Sequence, residues 1–386
     1  MGKQRMEKNL PEEIMEEILY KLPVKSLSRF KCVSKSLNSL ISDKDFIKHH
    51  LKKSITDDED LSDMTNHKLI TRFKHDQPPT FFRHVSCSLH KQPIIKSDFN
   101  ENMVFTIMGS CNGLLLVAAG ANLPYLWNPT TKKYKKIDLP LGFYEEEVQL
   151  GHDDQVNIFS PPRRYDYVYG LGYDESNDDY KIVCNKVSPW NRNPNLSRMN
   201  HTLMYSSKTN SWKKIENSPK SLCLPGKFVA GRLHWLCSMD GFDIICLNLT
   251  EEKYEIVGGP QSFTNNAEFK VVKLEELGGY LSLTYMNGRA DVDVWVMTEY
   301  GKRESWSKVW TLSNFVSAPA DRVNGRPIPF LWRKNGDIAV AFGSEIVVYN
   351  GKNVVSRSPL DIQLVAKVRC YVYVESLVSP FGSGGI

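Results

Sequence analysis

Apolar residues recur along this chain with two different periods, and the change of period divides it. From Leu10 to about Leu51 the spacing is helical. Ile14, Ile18, Leu19 and Leu22 share one face of a 3.6-residue helix. A second stretch carries Val24, Leu27, Phe30 and Val33, and a third Leu37, Leu40 and Ile41. Glu12 and Glu13 stand in the first turn, where the helix dipole favours anions, and Lys21 in the last. Pro23 ends the first helix and can open the next. Ser42 or Asp43 can cap a further short helix holding Phe46 and Ile47. Three helices of about ten residues cannot enclose a core of their own, so they must pack on a partner or on the rest of the chain. The acidic run SITDDEDLSDMTNHK then reads as a boundary and a solvated loop.

Beyond about residue 100 the period falls to two. Short apolar runs separated by Gly, Asn, Asp and Pro predict strands: GLLLVAA, DYKIVCNKV, HTLMYSS, RLHWLCS, DIICLNL, YLSLTYM, VDVWVMT, DIAVAFG and EIVVYNG. No long helix is predicted after residue 105. A unit of strand, polar turn and strand with an aromatic near its start recurs as YLWNPTTKKYKKI, LMYSSKTNSWKKI, ICLNLTEEKYEIV and VWVMTEYGKRESWSKV. Its aromatics are Tyr134, Trp212, Tyr254 and Trp306, separated by 78, 42 and 52 residues. A period near 40–50 with several strands per unit marks a β-propeller blade, and about six blades fit the length. A large sandwich or a pair of sandwiches is the competing architecture.

Composition narrows the class. Apolar residues make up 41% of the 386 and charged residues 24%, enough for a folded chain with loose ends. No run of 18 apolar residues predicts a membrane span, and the N-terminus has no apolar core of a secretory signal. The eight cysteines show neither CxxC pairing nor Cys/His ligand spacing, so the expectation is reduced thiols in a cytoplasmic or nuclear protein. The sequons at Asn195, Asn200 and Asn248 then have no role. The net charge of +5 resides entirely in residues 1–55, with twelve Lys/Arg against seven Asp/Glu; the remainder carries 37 of each. The cations alternate with carboxylates, a pattern that suits an acidic protein partner better than nucleic acid.

Few motifs carry chemistry. DESNDD at 174–179 lacks the glycine and glutamate register of a calcium loop and reads as a solvated turn between strands. His152, Asp153 and Asp154 lie in a polar, proline-flanked stretch and read as loop charge. No GxSxG, HExxH, P-loop or strand–helix GxGxxG occurs, so neither an enzyme nor a cofactor is expected. Two long connections, EEEVQLGHDDQVNIFSPPRRYDY and SPWNRNPNLSRMNH, mix charge with residues common in binding hot spots. Arg163, Arg164, Trp190 and Arg192 are the substrate-binding candidates.

The segment LPEEIMEEILYKLPVKSLSRFKCVSKSLNSLISDKDFIKHH resembles a plant F-box over its whole length. GSCNGLLLV, LWNPTTKKYKKIDLP, GLGYDESNDDYKIV, VDVWVMTEYGKRESWSKV and VYVES resemble, in order, the F-box-associated domain of a large plant family that includes the S-locus F-box proteins. The resemblance implies a short three-helix F-box followed by a large all-β, kelch-like propeller. The expected layout is a tail over 1–9, the F-box over 10–52, a linker and lead-in over 53–100, and the β domain over 101–380. It further implies a Skp-type adaptor, and through it a cullin and a RING subunit. The family pattern maps the adaptor-facing residues onto Leu10, Pro11, Ile14, Ile18, Leu22, Pro23, Leu27, Val33 and Leu40. The β domain would hold a protein substrate for ubiquitination, in some relatives a pistil ribonuclease and in others an immune receptor. The competing functions are an adaptor-binding protein that delivers no substrate, and a propeller enzyme or lectin with a fortuitous helical head. One position departs from the family: Leu37 stands where Trp is usual, which predicts a looser third helix.

Overall fold

A computed structural model describes residues 11–56, 67–73, 81–86, 94–95, 105–119, 123–140, 166–187, 202–217, 219, 222–237, 243–261, 270–286, 291–312, 328–332, 336–342, 345–350, 353–359 and 369–382. The chain opens with four helices: α1 (Glu12–Tyr20), α2 (Val24–Phe30), α3 (Lys35–Ser42) and α4 (Lys44–Thr56). The fourth lies where a further short helix was expected beyond the three, and at thirteen residues it is the longest of the set. Asp43 caps it, its Oδ1 accepting from the amides of Asp45 (2.8 Å) and Phe46 (3.2 Å). Phe46, Ile47, His50 and Leu51 then recur at i, i+1, i+4 and i+5 and carry the helix well past a single turn.

The remainder forms six four-stranded antiparallel sheets. One contains β1 (His67–Phe73), β2 (Phe81–Ser86) and β3 (Ile94–Ile95). The next runs through β4 (Phe105–Cys111), β5 (Leu114–Ala119), β6 (Leu123–Asn128) and β7 (Lys133–Lys136). Then come β8 (Asp166–Asp174), β9 (Asp179–Val187), β10 (Thr202–Ser206) and β11 (Ser211–Ile215). The fourth sheet holds β12 (Leu222–Val229), β13 (Arg232–Cys237), β14 (Asp243–Asn248) and β15 (Lys253–Ile256). The fifth holds β16 (Lys270–Leu277), β17 (Tyr280–Met286), β18 (Val292–Met297) and β19 (Trp306–Leu312). The sixth holds β20 (Ile328–Trp332), β21 (Ile338–Phe342), β22 (Glu345–Asn350) and β23 (Asn353–Pro359).

The ring closes through the chain's two ends. The last strand, β24 (Arg369–Val374), pairs antiparallel with β1, His67 opposite Val374 and Arg72 opposite Arg369. Around the centre, β24, β4, β8, β12, β16 and β20 are successive neighbours, and β20 meets β24 again. This is a closed propeller, not a sandwich. The segment 53–100, expected as a linker and lead-in to the β domain, contributes the three strands β1 to β3.

All nine predicted apolar runs are strands, each the second or third of its sheet. Those strands touch neighbouring blades on both faces, and the unbroken apolar run of β5 is accordingly buried at every position. The repeating aromatics sit on the fourth strands, and three of them latch one blade to the one before. Trp212 Nε1 donates to the carbonyl of Asp138 (2.7 Å), and Trp306 Nε1 to that of Gly258 (3.2 Å). Tyr254 OH reaches Thr202 Oγ1 at 3.3 Å. Tyr134 instead stands 41% exposed. Trp235 is fully buried where blades meet, and only glycine fits beside it: a Cβ on Gly226 would lie 2.6 Å from its Cε2, and one on Gly170 2.9 Å from its Cζ2.

The DESNDD turn joins β8 to β9, but its flanks are not solvated as expected. Asp174 and Asp179 are buried. Lys181 Nζ lies 2.8 Å from Asp174 Oδ2 and donates to the Leu249 carbonyl at 2.7 Å, tying this blade to the next. Thr250 Oγ1 and the Asn177 amide also donate to Asp174. Burial alone would raise the Asp174 pKa; the hydrogen bonds from Lys181, Asn177 and Thr250 outweigh it and hold the carboxyl at about 2.

Candidate protein-docking site on the helical head

Local sequence fixes how the helices turn. Pro11 stands at the N-cap of α1, its carbonyl accepting from the amides of Ile14 and Met15, both at 3.1 Å. Pro23 occupies the same place before α2, and Ser34 Oγ caps α3 by accepting from the Leu37 amide (3.1 Å). The carbonyl of Leu22, between α1 and α2, is met from α4, where His50 lies with Nε2 2.9 Å away. A carbonyl can only accept, so Nε2 carries the proton and Nδ1 faces Ser54 Oγ at 3.5 Å. Burial lowers the His50 pKa against the opposing pull of that carbonyl, so the ring is neutral at physiological pH.

The four helices share one small core of Leu19, Val24, Leu27, Ile41 and Phe46, completed by Leu377 from the far end of the chain. Leu27 is fully buried in it. This corrects its assignment to the adaptor-facing set: Leu27 builds the inner face of α2, whose seven residues present Phe30 outward instead. Ile14 is 50% exposed, Ile18 49%, Val33 68% and Phe30 38%. Pro11 and Pro23 are exposed, while Leu22, Leu37 and Leu40 are half-buried against the core. Leu10 lies outside the described residues. Helix α1 thus has two apolar faces, one spent on Met15 and Leu19 and the other left to solvent. Phe30, outside the expected adaptor-facing set, is also exposed, three residues before Val33.

The exposed cations Lys21, Lys25, Arg29 and Lys35 flank these side chains in the sequence, opposed by Glu12, Glu13 and Glu17 on α1. Burial, then the charges of Glu16 and Glu17, push the Tyr20 hydroxyl above its ordinary range. Its ring stacks on Phe46 (4.8 Å) and on His49 (4.4 Å).

The antiparallel pairing of β1 with β24 decides where the head sits. The chain enters β1 and leaves β24 at the same rim, so the helices and the C-terminal segment meet there. Ile47 and Leu51 of α4 join the cluster of Leu114, Tyr169 and Val378. Lys48 pairs with Asp178 in the β8–β9 turn at 2.9 Å. Hydrogen bonds from Tyr173 and Lys48 overcome the effect of burial and lower the Asp178 pKa. Both partners are substantially exposed, so this pair contributes at most about 1 kcal/mol, and apolar contact holds the head. The strand ends flanking 137–165, 188–201, 257–269 and 313–327 all lie on the opposite rim. The longest connection on the head's own rim after β4 is 298–305.

The substrate-binding candidates Arg163, Arg164, Trp190 and Arg192 lie outside the described residues, as do His152, Asp153 and Asp154. Among the described residues no cluster of His, Cys, Asp and Glu fits a metal, and no helix is long and apolar enough to cross a membrane. Cys32 is exposed; Cys111, Cys184 and Cys246 are buried free thiols, and burial pushes that of Cys184 up to about 12. Asn248 is half-buried, its Oδ1 accepting from the amides of Thr250 and Glu251 in the turn after β14.

A four-helix head with apolar side chains left to solvent, carried on the rim of a closed propeller, defines the architectural class of this protein. Comparison with known proteins gives the same class. Residues 8–49 match the F-box domain and residues 64–380 the F-box associated beta propeller domain, and the chain belongs to that family of F-box proteins. It is 28% identical to the Arabidopsis thaliana F-box/kelch-repeat protein At3g23880, covering 96% of each chain. It is also 28% identical to the F-box protein CPR1 of the same plant, covering 78% of this chain and 73% of that one. Among solved structures, TolB from Acinetobacter baumannii aligns with a TM-score of 0.48 at 8% identity, over 86% of this chain and 72% of that one.

Leu37 packs against the helical core from α3 and stays half-buried. Leu37→Trp adds apolar area there and is expected to raise retention of a Skp-type adaptor by roughly tenfold, for about 1–2 kcal/mol of extra contact. A pull-down in which the substitution weakens retention would count against this packing.

Proposed function

We propose that the chain is a non-catalytic substrate receptor of a Skp–cullin–F-box ubiquitin ligase, acting in the cytoplasm or nucleus. The helical head binds a Skp-type adaptor, which brings the cullin, the RING subunit and the ubiquitin-conjugating enzyme. The propeller holds a protein substrate for ubiquitination and degradation. The observation that carries this reading is the pair Ile14 and Ile18 on α1, 50% and 49% exposed one turn apart, while Met15 and Leu19 of the same helix are spent on the core; Val33, just past the end of α2, is exposed as well. Exposed apolar residues grouped on one element mark a partner's footprint. The ring supports the second half of the proposal, since its longer connections leave from the rim away from the head, where a substrate would not compete with the adaptor.

The test is reconstitution followed by substrate capture. The full chain should co-purify with a Skp-type adaptor, cullin and RING subunit. Proximity labelling in plant tissue under proteasome inhibition should then mark proteins that accumulate with the parent chain and not with an Ile14→Glu/Ile18→Glu variant. If no labelled protein depends on those two residues, the receptor role is lost.

A further inference from the structure

After closing the ring, the chain does not end at β24. It runs along the rim as a strap, Val374 to Gly382, between the helices and the second and third sheets. Asn128, fully buried at the end of β6, donates from Nδ2 to the carbonyls of Ser376 (3.0 Å) and Val378 (2.8 Å). The same side chain accepts through Oδ1 from the amides of Thr130 and Thr131, so one residue both shapes its own turn and grips the strap. Gly113 leaves room for it: a Cβ there would meet Ser376 Oγ at 2.2 Å and the Val374 carbonyl at 2.6 Å. Between the two gripped carbonyls Leu377 turns the other way, into the core of Leu19, Val24, Leu27, Ile41 and Phe46, and Val378 turns back into the sheets beside Leu51. Alternate side chains of one extended segment thus enter two different cores.

We infer that this strap is the tether that fixes the helical head on the ring, with Asn128 as its anchor, Leu377 as its peg and Gly113 as its seat. Asn128 and Leu377 are positioning residues, since neither faces the solvent on which an adaptor would dock. Ubiquitin transfer needs the substrate held at a set distance from the enzyme that the adaptor brings, and the strap sets the head's share of that distance. This last consequence rests on the receptor reading; the tether itself does not.

The test uses the full chain, a truncation after Glu375, and the single variants Asn128→Asp and Leu377→Ser. Asn128→Asp keeps the oxygen that accepts from Thr130 and Thr131 and removes the donor to the strap. Hydrogen exchange should speed by about tenfold or more in α4 while β17 and β21 keep their protection, and small-angle scattering should show a larger maximum dimension. Parent-like α4 protection and scattering in all three altered chains would overturn the inference. So would loss of the ring's own protection in all three, since the strap would then belong to the ring's fold and tether nothing. Adaptor pull-down is read separately. Its failure in the parent chain would remove the receptor reading and leave the tether standing.

Discussion

Replacing Ile14 and Ile18 together by glutamate is expected to reduce adaptor retention by more than about a hundredfold while the protein stays folded. Both side chains lie on the outer face of α1, 50% and 49% exposed, so covering what remains contributes about 2–3 kcal/mol for the pair. The substitution does more than remove that contact. A carboxylate pressed against an apolar partner without a hydrogen bond costs several kcal/mol further, and each 1.4 kcal/mol is about a decade in affinity. Glu12, Glu13, Glu16 and Glu17 already surround these positions, which makes the added charges harder to accommodate. Folding should change by no more than about 0.5 kcal/mol, since neither side chain joins the helical core. Deleting the helices altogether is a poorer experiment, because it would also strip Ile47 and Leu51 from the cluster they share with the sheets. Retention by the double variant equal to the parent's, measured by immobilised adaptor, would move the docking surface elsewhere.

The largest expected effect on stability belongs to Lys181→Met. Lys181 and Asp174 keep 7% and 0% of their side-chain surface, and removal of the cation leaves a buried carboxylate facing Thr250 and Asn177 alone. Breaking such a pair costs about 3–5 kcal/mol. The midpoint of chemical denaturation at neutral pH should fall accordingly, and Asp174→Asn in the same chain should restore part of the loss. A parent-like midpoint would mean the pair contributes nothing. The parent should also show an acid limb. Asp174 titrates at about 2 when folded against 3.8 as the ordinary value, so its contribution of about 2 kcal/mol is complete above pH 4 and fades as pH falls towards 2. In Lys181→Met that limb should shrink, because the carboxyl has lost the strongest reason to stay ionised.

How much of this was legible in the sequence depends on range. Whatever is decided within a few residues could be read: Asp43 as a cap, the strand–turn–strand units ending in Trp212, Tyr254 and Trp306, and the change of period that separates head from ring. Contacts between distant parts of the chain could not. Within the expected linker and lead-in the individual strands β1 to β3 were not legible, and the partner that completes their sheet, β24, lies some 300 residues further on, a pairing to which periodicity is blind. Leu27 was misassigned because Val24, Leu27 and Phe30 share one face of α2, and spacing alone cannot say which of them is covered by the chain's own core. Asp174 read as a solvated turn residue because the cation and hydroxyl that accept its burial come from β9 and from the next blade. Leu377 gave no signal, since the two apolar residues Leu377 and Val378 in a short segment acquire meaning only once the helices and sheets are seen around them.

The closure of the ring by its terminal strands has a consequence for synthesis. The helices are translated first, yet the sheet that carries them lacks its innermost strand until codon 374 has passed through the ribosome. Until then β1 is an open edge beside an uncovered apolar head, the kind of surface chaperones hold. A chain that lacks β24 therefore carries its helices on a ring that has not closed.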